Sequence, residues 1–177
     1  MALNYTRTIY NNLDAEFKAA RASGVLISSI QNAMTSFVVL RLACEYEEII
    51  KGMMRDAWFA QITDNNRKLK YLIENVLLKK TRASKYNALK DNFSDVGLIV
   101  PNVSELLSEE REQNYYRRIF GPNGSDANND ENNIRDQLAH NKDFDFSKLP
   151  SWSEIPEYIE ICESVLNALQ DAISYKE

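Results

Sequence analysis

The strongest constraint on the fold is a long run of apolar residues at helical spacing across residues 25–58. Intervals of three and four between apolar residues are the pattern of an amphipathic helix. The first half of the run carries very little charge, so we expect more than one side of this helix to be buried. The segment is predicted to be the central helix of a bundle. Its apolar face is formed by Ile27, Ile30, Met34, Phe37, Val38, Leu42, Tyr46, Ile49, Ile50 and Met53.

Shorter segments with the same periodicity flank the long one and predict the remaining helices. Local signals mark their ends, such as Gly24 after the first and Gly121 after the fourth. Asn102 with Glu105 forms a capping pattern at the start of the fourth helix. Residues 91–101 are predicted to be a loop. The predicted helices cover residues 4–22, 25–58, 64–80, 103–120, 130–143 and 154–175, the third capped by Thr63 and the last by Ser153 in preference to Ser151.

The composition agrees with a helical fold. The 177 residues include only five Gly and four Pro, while 44% of positions are hydrophobic and 27% are charged. This balance disfavours both a disordered chain and a turn-rich β fold. The length suits one domain with a sizeable core. We therefore predict an all-α, single-domain antiparallel bundle of about five to six helices over residues 1–177.

The charge balance limits how the chain can bind nucleic acid. The formal net charge is −5, from 21 basic and 26 acidic residues, so the chain repels nucleic acid at long range. Binding of RNA then needs a local basic patch or a short enclosed site. A basic patch follows the third predicted helix, and it is either an RNA-guiding surface or a set of charges that offsets a helix macrodipole. It contains Lys79, Lys80, Arg82, Lys85 and Lys90, of which the first three are the candidate substrate-binding residues.

Cysteine usage and the absence of targeting signals predict a cytoplasmic location. Cys44 and Cys162 lie far apart in apolar helical patterns and are predicted to be buried free thiols. No His and Cys cluster has the spacing of a metal site and no glycine-rich phosphate loop occurs, so neither a metal nor a cofactor is predicted. No stretch resembles a secretion signal or is long enough to span a bilayer, so no membrane partner is expected.

His140 is the only histidine in the chain, and it lies in the segment Ile-Arg-Asp-Gln-Leu-Ala-His-Asn at residues 134–141. It is therefore the one side chain whose unperturbed pKa lies near neutrality. The spacing Arg135-Asp136-x-x-x-His140 resembles the motif of the HEPN superfamily, in which Arg, a polar residue and His form an RNA-cleaving site. Asp136 stands at the polar position, where Asn is commoner, and adds a negative charge there.

The resemblance implies a small, all-helical, dimeric domain that cleaves RNA, of the kind found in prokaryotic toxin–antitoxin and phage-defence systems. A cognate antitoxin or a defence-system partner is expected on the same ground. Glu47 and Lys51 also resemble a segment on an early helix of several HEPN families. The alternative explanation of these two residues is an ordinary ion pair four positions apart on a helix surface.

The residue types of the motif suit metal-independent cleavage of RNA. One group must take the 2′-hydroxyl proton, another must protonate the 5′-oxygen, and a cation must stabilise the charge on the phosphorane. His140 suits either proton transfer, and Arg135 supplies a permanent, forked cation. Asp136 is predicted to orient His140, and Asn141 is a candidate for a further hydrogen bond to substrate.

Helix geometry indicates that one copy of the motif cannot easily aim both Arg135 and His140 at one phosphate. Asp136 and His140 share a face, but Arg135 and His140 are roughly 140° apart round the axis and about 7 Å apart along it. Two copies that face each other across a two-fold axis can supply both groups to one cleft. This agrees with what the resemblance implies: a composite homodimer site in which one His is the base, the other is the acid, and both Arg135 residues hold the phosphate.

Two alternatives to an endoribonuclease stay open. One is a non-catalytic HEPN-like module that binds RNA, a nucleotide or a protein. Such relatives commonly lack the Arg or the His, so Arg135 and His140 favour the enzyme. The other is a helical adaptor unrelated to HEPN domains, which requires an exposed apolar groove or a DNA-reading helix. No helix with clustered Arg and Asn occurs, and the acidic charge balance argues against DNA.

Overall fold

The computed structural model describes residues 1–24, 28–60, 67–78, 88–95, 100–121, 134–140 and 144–174. Residues 29, 76, 77, 88, 89, 92, 95, 140 and 174 are described in their backbone only. Within these ranges the chain is all-α and holds no strand, which confirms the predicted class. No helix of the described ranges has the length and apolar character needed to cross a membrane.

The helices are numbered in chain order. They are α1 Asn4–Ala22, α2 Ser28–Ala60, α3 Arg67–Leu72, α4 Ala88–Asp95, α5 Val103–Leu106, α6 Glu110–Phe120, α7 Ile134–His140 and α8 Ile155–Ser174. A π-helical turn, Ile73–Leu77, continues α3, and two 3-10 turns, Phe146–Lys148 and Trp152–Glu154, precede α8. The bounds of α1 are those predicted from its apolar period.

The long helix α2 is the centre of the fold, as predicted. It packs against α1, α6, α7 and α8. Its buried side chains recur at intervals of three and four, and α8 presents a matching stripe. Burial of one aliphatic side chain of this kind stabilises the fold by about 1.5–3 kcal/mol. The fully buried residues of the two stripes include Val38, Leu42, Tyr46 and Ile50 on α2, and Ile155, Ile159, Cys162, Val165, Leu166 and Leu169 on α8.

The first half of α2 is less buried than its composition predicts. Ile30 is 54% exposed and Phe37 is 44% exposed, although both belong to the predicted apolar face. The helix α1 covers the opposite flank of this half, where Arg21 donates a hydrogen bond to Gln31 at 2.9 Å and Thr35 is buried. The expectation that more than one side is buried is therefore wrong for a single copy of the chain.

The N-terminus of α1 is capped by side chains from other helices. Leu3 occupies the N-cap position and is fully buried, and its side chain has no polar atom that could cap the helix. The Glu45 carboxylate of α2 accepts hydrogen bonds from the N–H and the hydroxyl of Thr6, at 2.8 and 2.6 Å. Glu163 of α8 accepts from the Leu3 N–H at 2.9 Å and pairs with Arg7 at 2.6 Å. These contacts tie α1 to both central helices.

The predicted loop over residues 91–101 is wrong in its first part. Residues 91–95 belong to α4. The physical reason is tertiary: Phe93 is fully buried, and the helical backbone satisfies its own polar groups while that side chain packs into the core.

The single helix predicted over residues 103–120 is divided in two. Leu107 has an extended backbone, with φ −108° and ψ 106°, and its side chain is 1% exposed. The core contact of Leu107 therefore overrides the helical period. The predicted end signals hold: Glu105 accepts a hydrogen bond from the Asn102 N–H at 3.3 Å, and Gly121 ends α6 with a φ of +87°.

The start of α8 also differs from the prediction. Ser151, not Ser153, is the cap residue here, and it caps the 3-10 turn Trp152–Glu154 that leads into α8. The Glu154 carboxylate accepts a hydrogen bond from the Ser151 N–H at 2.6 Å. Pro156 then falls in the first turn of α8, where a missing N–H removes no intrahelical hydrogen bond.

One of the two thiols is not where the sequence predicts it. Cys162 is buried, and burial raises the pKa of its thiol well above the usual value. Cys44 is exposed, so the prediction of a buried thiol is wrong there. The reason is its direction: Cys44 lies on the outward side of α2, in line with Phe37, rather than on the side that faces α8.

Candidate functional site

The first turn of α7 carries two of the predicted catalytic residues, Arg135 and Asp136. Ile134, just before them, is 2% exposed and packs in the core, where α7 contacts α2 and α6. The side chains of Arg135 and Asp136 remain 29% and 31% exposed. The polar residues of the motif are therefore accessible, on a helix that is held against the centre of the bundle.

The Arg135 guanidinium joins two carboxylates. Its Nη2 donates to Glu47 Oε2 at 2.8 Å, and its Nη1 donates to Asp136 Oδ1 at 3.1 Å. The Glu47 side chain is only 11% exposed, so water screens this pair less than it screens an ordinary surface pair. Loss of Arg135 would leave the Glu47 carboxylate as a poorly solvated charge. The pair thus fixes the orientation of α7 on α2.

Glu47 does not lie on the helix surface, so the interpretation of Glu47 and Lys51 as an ordinary surface pair is wrong. Glu47 belongs to the same stripe as Ala43, Ile50 and Met54, which are at most 1% exposed. A carboxylate in such a stripe needs a cation or several hydrogen bonds. The sequence therefore carried a signal for a buried ion pair. It could not name the cation, because Arg135 is 88 positions away.

An aromatic layer between α2 and α6 lies close enough to Glu47 for its charge to act on Tyr116. The hydroxyl oxygens of Tyr46 and Tyr116 lie 3.0 Å apart, and both side chains are fully buried. The Phe120 ring packs 4.8 Å from each of the two tyrosine rings. Burial raises the pKa of both phenols well above the usual value, and the Glu47 charge adds to the rise at Tyr116. The layer is therefore neutral and close-packed where α2 and α6 meet α7.

His140 is the last residue of α7, so its backbone continues the helix that carries Arg135. The predicted separation of roughly 140° round the axis therefore applies to the two residues. The side chain of His140 lies outside the described part of the chain. The predicted substrate contacts Asn141, Lys79, Lys80 and Arg82 also lie outside it.

The charges of the cluster determine what it can bind. An arginine has five N–H donors, so a guanidinium that contacts two carboxylates can still present donors at its exposed edge. When ionised, Arg135, Glu47 and Asp136 together carry one net negative charge. A phosphate gains most by replacing the contact of Asp136, which is more exposed than Glu47. The net charge of the cluster opposes anion binding, so a phosphate can reach Arg135 only by displacing the Asp136 contact.

Among the described residues, no group of three or more His, Cys, Asp and Glu side chains is placed to hold a metal ion. Comparisons with family models, with curated protein sequences and with solved structures give no significant match. The residues that remain as a basis for function are those of the α7 motif and their partner on α2.

Proposed function

We propose that the protein is a metal-independent endoribonuclease whose active site is shared between two copies of the chain. The fold would be a HEPN-like antiparallel bundle of five to six helices, in one domain over residues 1–177. The observation that supports the proposal is the placement of Arg135. Its guanidinium is anchored to the central helix through Glu47 at 2.8 Å and is still 29% exposed. A catalytic cation must be both preorganised and accessible to the phosphate.

Each residue has a role in this proposal. One His140 removes the 2′-hydroxyl proton, the 2′-oxygen attacks phosphorus, and the bond to the 5′-oxygen breaks. The second His140 protonates that leaving oxygen, which yields a 2′,3′-cyclic phosphate and a free 5′-hydroxyl. The two Arg135 residues stabilise the charge on phosphorus. Asp136 orients His140, one helical turn away, and Glu47 positions Arg135.

The wider expectations follow from the same proposal. The protein acts in the cytoplasm as a toxin or defence effector on an RNA substrate, under the control of a cognate antitoxin or a defence-system partner. Asn141, Lys79, Lys80 and Arg82 contact the RNA beyond the scissile phosphate.

The test is cleavage of a labelled RNA pool in EDTA by the parent protein, Arg135→Ala, His140→Ala and Arg111→Ala. Arg111 is a matched control, because its guanidinium also contacts a carboxylate, at 2.8 Å from Glu157 Oε2, but it lies on α6 outside the cluster. We expect the parent and Arg111→Ala to release cyclic-phosphate ends, and the other two variants to lose about 100-fold or more in rate. Equal cutting by all four proteins would reject the site.

A mixing experiment tests whether the site is shared. His140→Ala is added in increasing amounts to the parent protein, and the subunits are allowed to exchange. A shared site needs the His140 of both copies, so a mixed dimer should be inactive and the rate should fall with the square of the parent's fraction. If each copy cut by itself, the rate would fall only in direct proportion to that fraction.

A non-catalytic HEPN-like module that binds RNA, a nucleotide or a protein is the second candidate. It is favoured by one observation, which is that both outer nitrogens of Arg135 contact carboxylates. RNA binding by the parent without cutting, weakened by Arg135→Ala and unchanged by Arg111→Ala, would support this candidate over the enzyme.

A further inference from the structure

The outward side of α2, which faces away from α8, exposes large apolar side chains. In the first half of the helix, Ile30 and Phe37 are 54% and 44% exposed. In the second half, a groove of about 560 Å³ opens on the adjacent flank, between α2, the N-terminus of the chain and the end of α8. It is lined by Met1, Ile49, Met53 and Ile173 among others, and its edge at Gly52 turns toward the side that carries Phe37.

We propose that this side of α2 is the surface through which two copies of the chain pair, about a two-fold axis that crosses α2 between Cys44 and Glu45. The two helices run antiparallel in such a pair. A residue before the axis in one copy then lies opposite the residue equally far after the axis in the other, so each contact occurs twice. This inference rests on the proposed function, because it assigns the contact between copies that a shared active site requires.

The apolar features match under this symmetry. Phe37 precedes the axis by as many positions as Gly52 follows it, so the exposed ring of one copy lies at the edge of the groove of the other. A Cβ atom added to Gly52 would meet nothing within 4 Å, so space for a foreign side chain is open there. Ile30 of one copy lies at the level of Phe59 of the other. The exposed apolar side chains of the two copies would thus pack along one line of contact between the helices.

The charges between the apolar features also match. Arg41 and Glu48 are equally far from the axis, so each Arg41 faces the Glu48 of the other copy. Glu48 is exposed, and the Arg41 guanidinium lies over the Tyr5 ring at 4.6 Å. Within the described ranges, Arg41 Nε is buried without a hydrogen-bond partner. The pairing gives this cation a carboxylate neighbour and sets one register.

The same axis brings the two candidate sites together. Glu47 follows the axis by two to three positions, which is about 4 Å along the helix. A two-fold axis perpendicular to two antiparallel helices places equivalent residues of the two copies on the same side of the line along which the helices touch. The two Glu47–Arg135 pairs therefore flank one cleft, offset by about 8 Å along α2. Each copy contributes its own α7 to that cleft.

The first measurement is the mass in solution by sedimentation, for the parent, Phe37→Glu and Leu72→Glu. Leu72 is a matched control because it is also 44% exposed, on α3. We expect a dimer for the parent and Leu72→Glu, and a monomer for Phe37→Glu that keeps the thermal unfolding curve of a folded protein. A parent that is monomeric at micromolar concentration, or a Phe37→Glu variant that remains dimeric, would overturn the interface.

Charge reversal then tests the register. Arg41→Glu and Glu48→Arg should each weaken dimerisation by about tenfold or more, because like charges face each other twice. The double variant restores opposite charges and should recover the dimer. A double variant as weak as the single ones would contradict the antiparallel register.

Cross-linking provides a measure of distance. The exposed Cys44 lies beside the axis in both copies, so a short bismaleimide should join the copies, and Cys44→Ser should abolish the product. The buried Cys162 serves as the internal control. A dimer that resists this reagent would overturn the placement of the axis.

None of these measurements involves RNA, so the two proposals can fail separately. A dimer through this face that does not cut RNA would leave the interface standing and remove the proposed activity. If the parent is a dimer that cuts RNA, and Phe37→Glu changes neither its mass nor its cutting, the proposed activity would stand and this interface would be rejected. A monomeric parent whose groove binds a different protein would also reject pairing between copies.

Discussion

Three consecutive residues of α2 face three different neighbours. Glu45 accepts hydrogen bonds from the N-terminus of α1, Tyr46 meets Tyr116 of α6, and Glu47 pairs with Arg135 of α7. The two glutamates are chemically identical and only two positions apart. Because successive residues on a helix are about 100° apart, their side chains leave α2 in directions that differ by roughly 200°. Glu45 is a structural carboxylate and Glu47 belongs to the candidate site because of their positions on the helix, since the two residues are of the same type.

The contrast between Glu45 and Glu47 also explains the different surroundings of the two carboxylates. Glu45 contacts N–H and hydroxyl donors of the first turn of α1, which have no intrahelical partner of their own. Glu47 contacts a cation that stays partly exposed to solvent. A neutral donor set is sufficient for a cap, whereas an exposed cation can also bind a ligand. Substitutions at the two positions should therefore affect different properties.

Glu45→Ala should cause the largest loss of stability, about 3 kcal/mol. It removes a charged acceptor from the Tyr5 N–H, the Thr6 N–H and the Thr6 hydroxyl at once, and each such hydrogen bond contributes about 1 kcal/mol. Urea unfolding followed by far-UV circular dichroism measures the change. RNA cleavage per dimer should stay at the parent value, at concentrations where sedimentation shows that the variant still pairs. A loss below about 1 kcal/mol would show that water replaces this cap.

Glu47→Ala should cost less stability, about 2 kcal/mol, because the Arg135 left behind is 29% exposed and can be hydrated. Its effect on the proposed cleavage should be larger, at about tenfold or more, since an unanchored guanidinium no longer meets the phosphate in one geometry. Glu47→Gln, which keeps a hydrogen-bond acceptor, should recover part of the rate. If Glu45→Ala and Glu47→Ala lowered cleavage equally, the division of roles between the two glutamates would be wrong.

Tyr116→Phe should cost about 1.5 kcal/mol at neutral pH, because Tyr46 loses its buried hydroxyl partner. It should also change the response to alkali. The pKa of both phenols is raised above the unfolded value of 10.0, so below pH 10 both states are protonated and the stability is fully present. Above pH 10 the unfolded chain loses these protons first, and stability falls. Urea midpoints at increasing pH should fall less steeply for Tyr116→Phe than for the parent.

Thr6→Val should have the smallest effect, about 1 kcal/mol, since it removes only the hydroxyl hydrogen bond to Glu45 at 2.6 Å. Thr8→Val is the matched control. The Thr8 hydroxyl donates to the Asn4 carbonyl of its own helix at 2.7 Å and is exposed, so its loss should change stability by only a few tenths of a kcal/mol. The unfolding curves of the two variants are compared in one denaturant series. The comparison shows whether the loss of stability comes from the hydrogen bond between Thr6 and Glu45 or from the removal of any threonine hydroxyl.

Much of the helical framework can be predicted from the sequence, because it depends on local periodicity and local end signals. The bounds of α1 match the apolar period, and α6 ends at Gly121 as its conformational freedom predicts. The wrong predictions of secondary structure have a common cause. The break at Leu107 and the helix around Phe93 depend on side chains that reach the core, and packing there outweighs local propensity.

The candidate site likewise has one part that the sequence predicts and another that it does not. The sequence by itself determined that one histidine, His140, shares a short helical segment with Arg135 and Asp136, because residue spacing within a helix is set by backbone geometry. Only the tertiary structure decided that Glu47 is buried and that Arg135 is its partner, since that contact joins residues 88 positions apart. It also left Ile30 and Phe37 exposed. Helical periodicity shows which side of a helix is apolar, but only the packing of the other helices decides whether that side is covered.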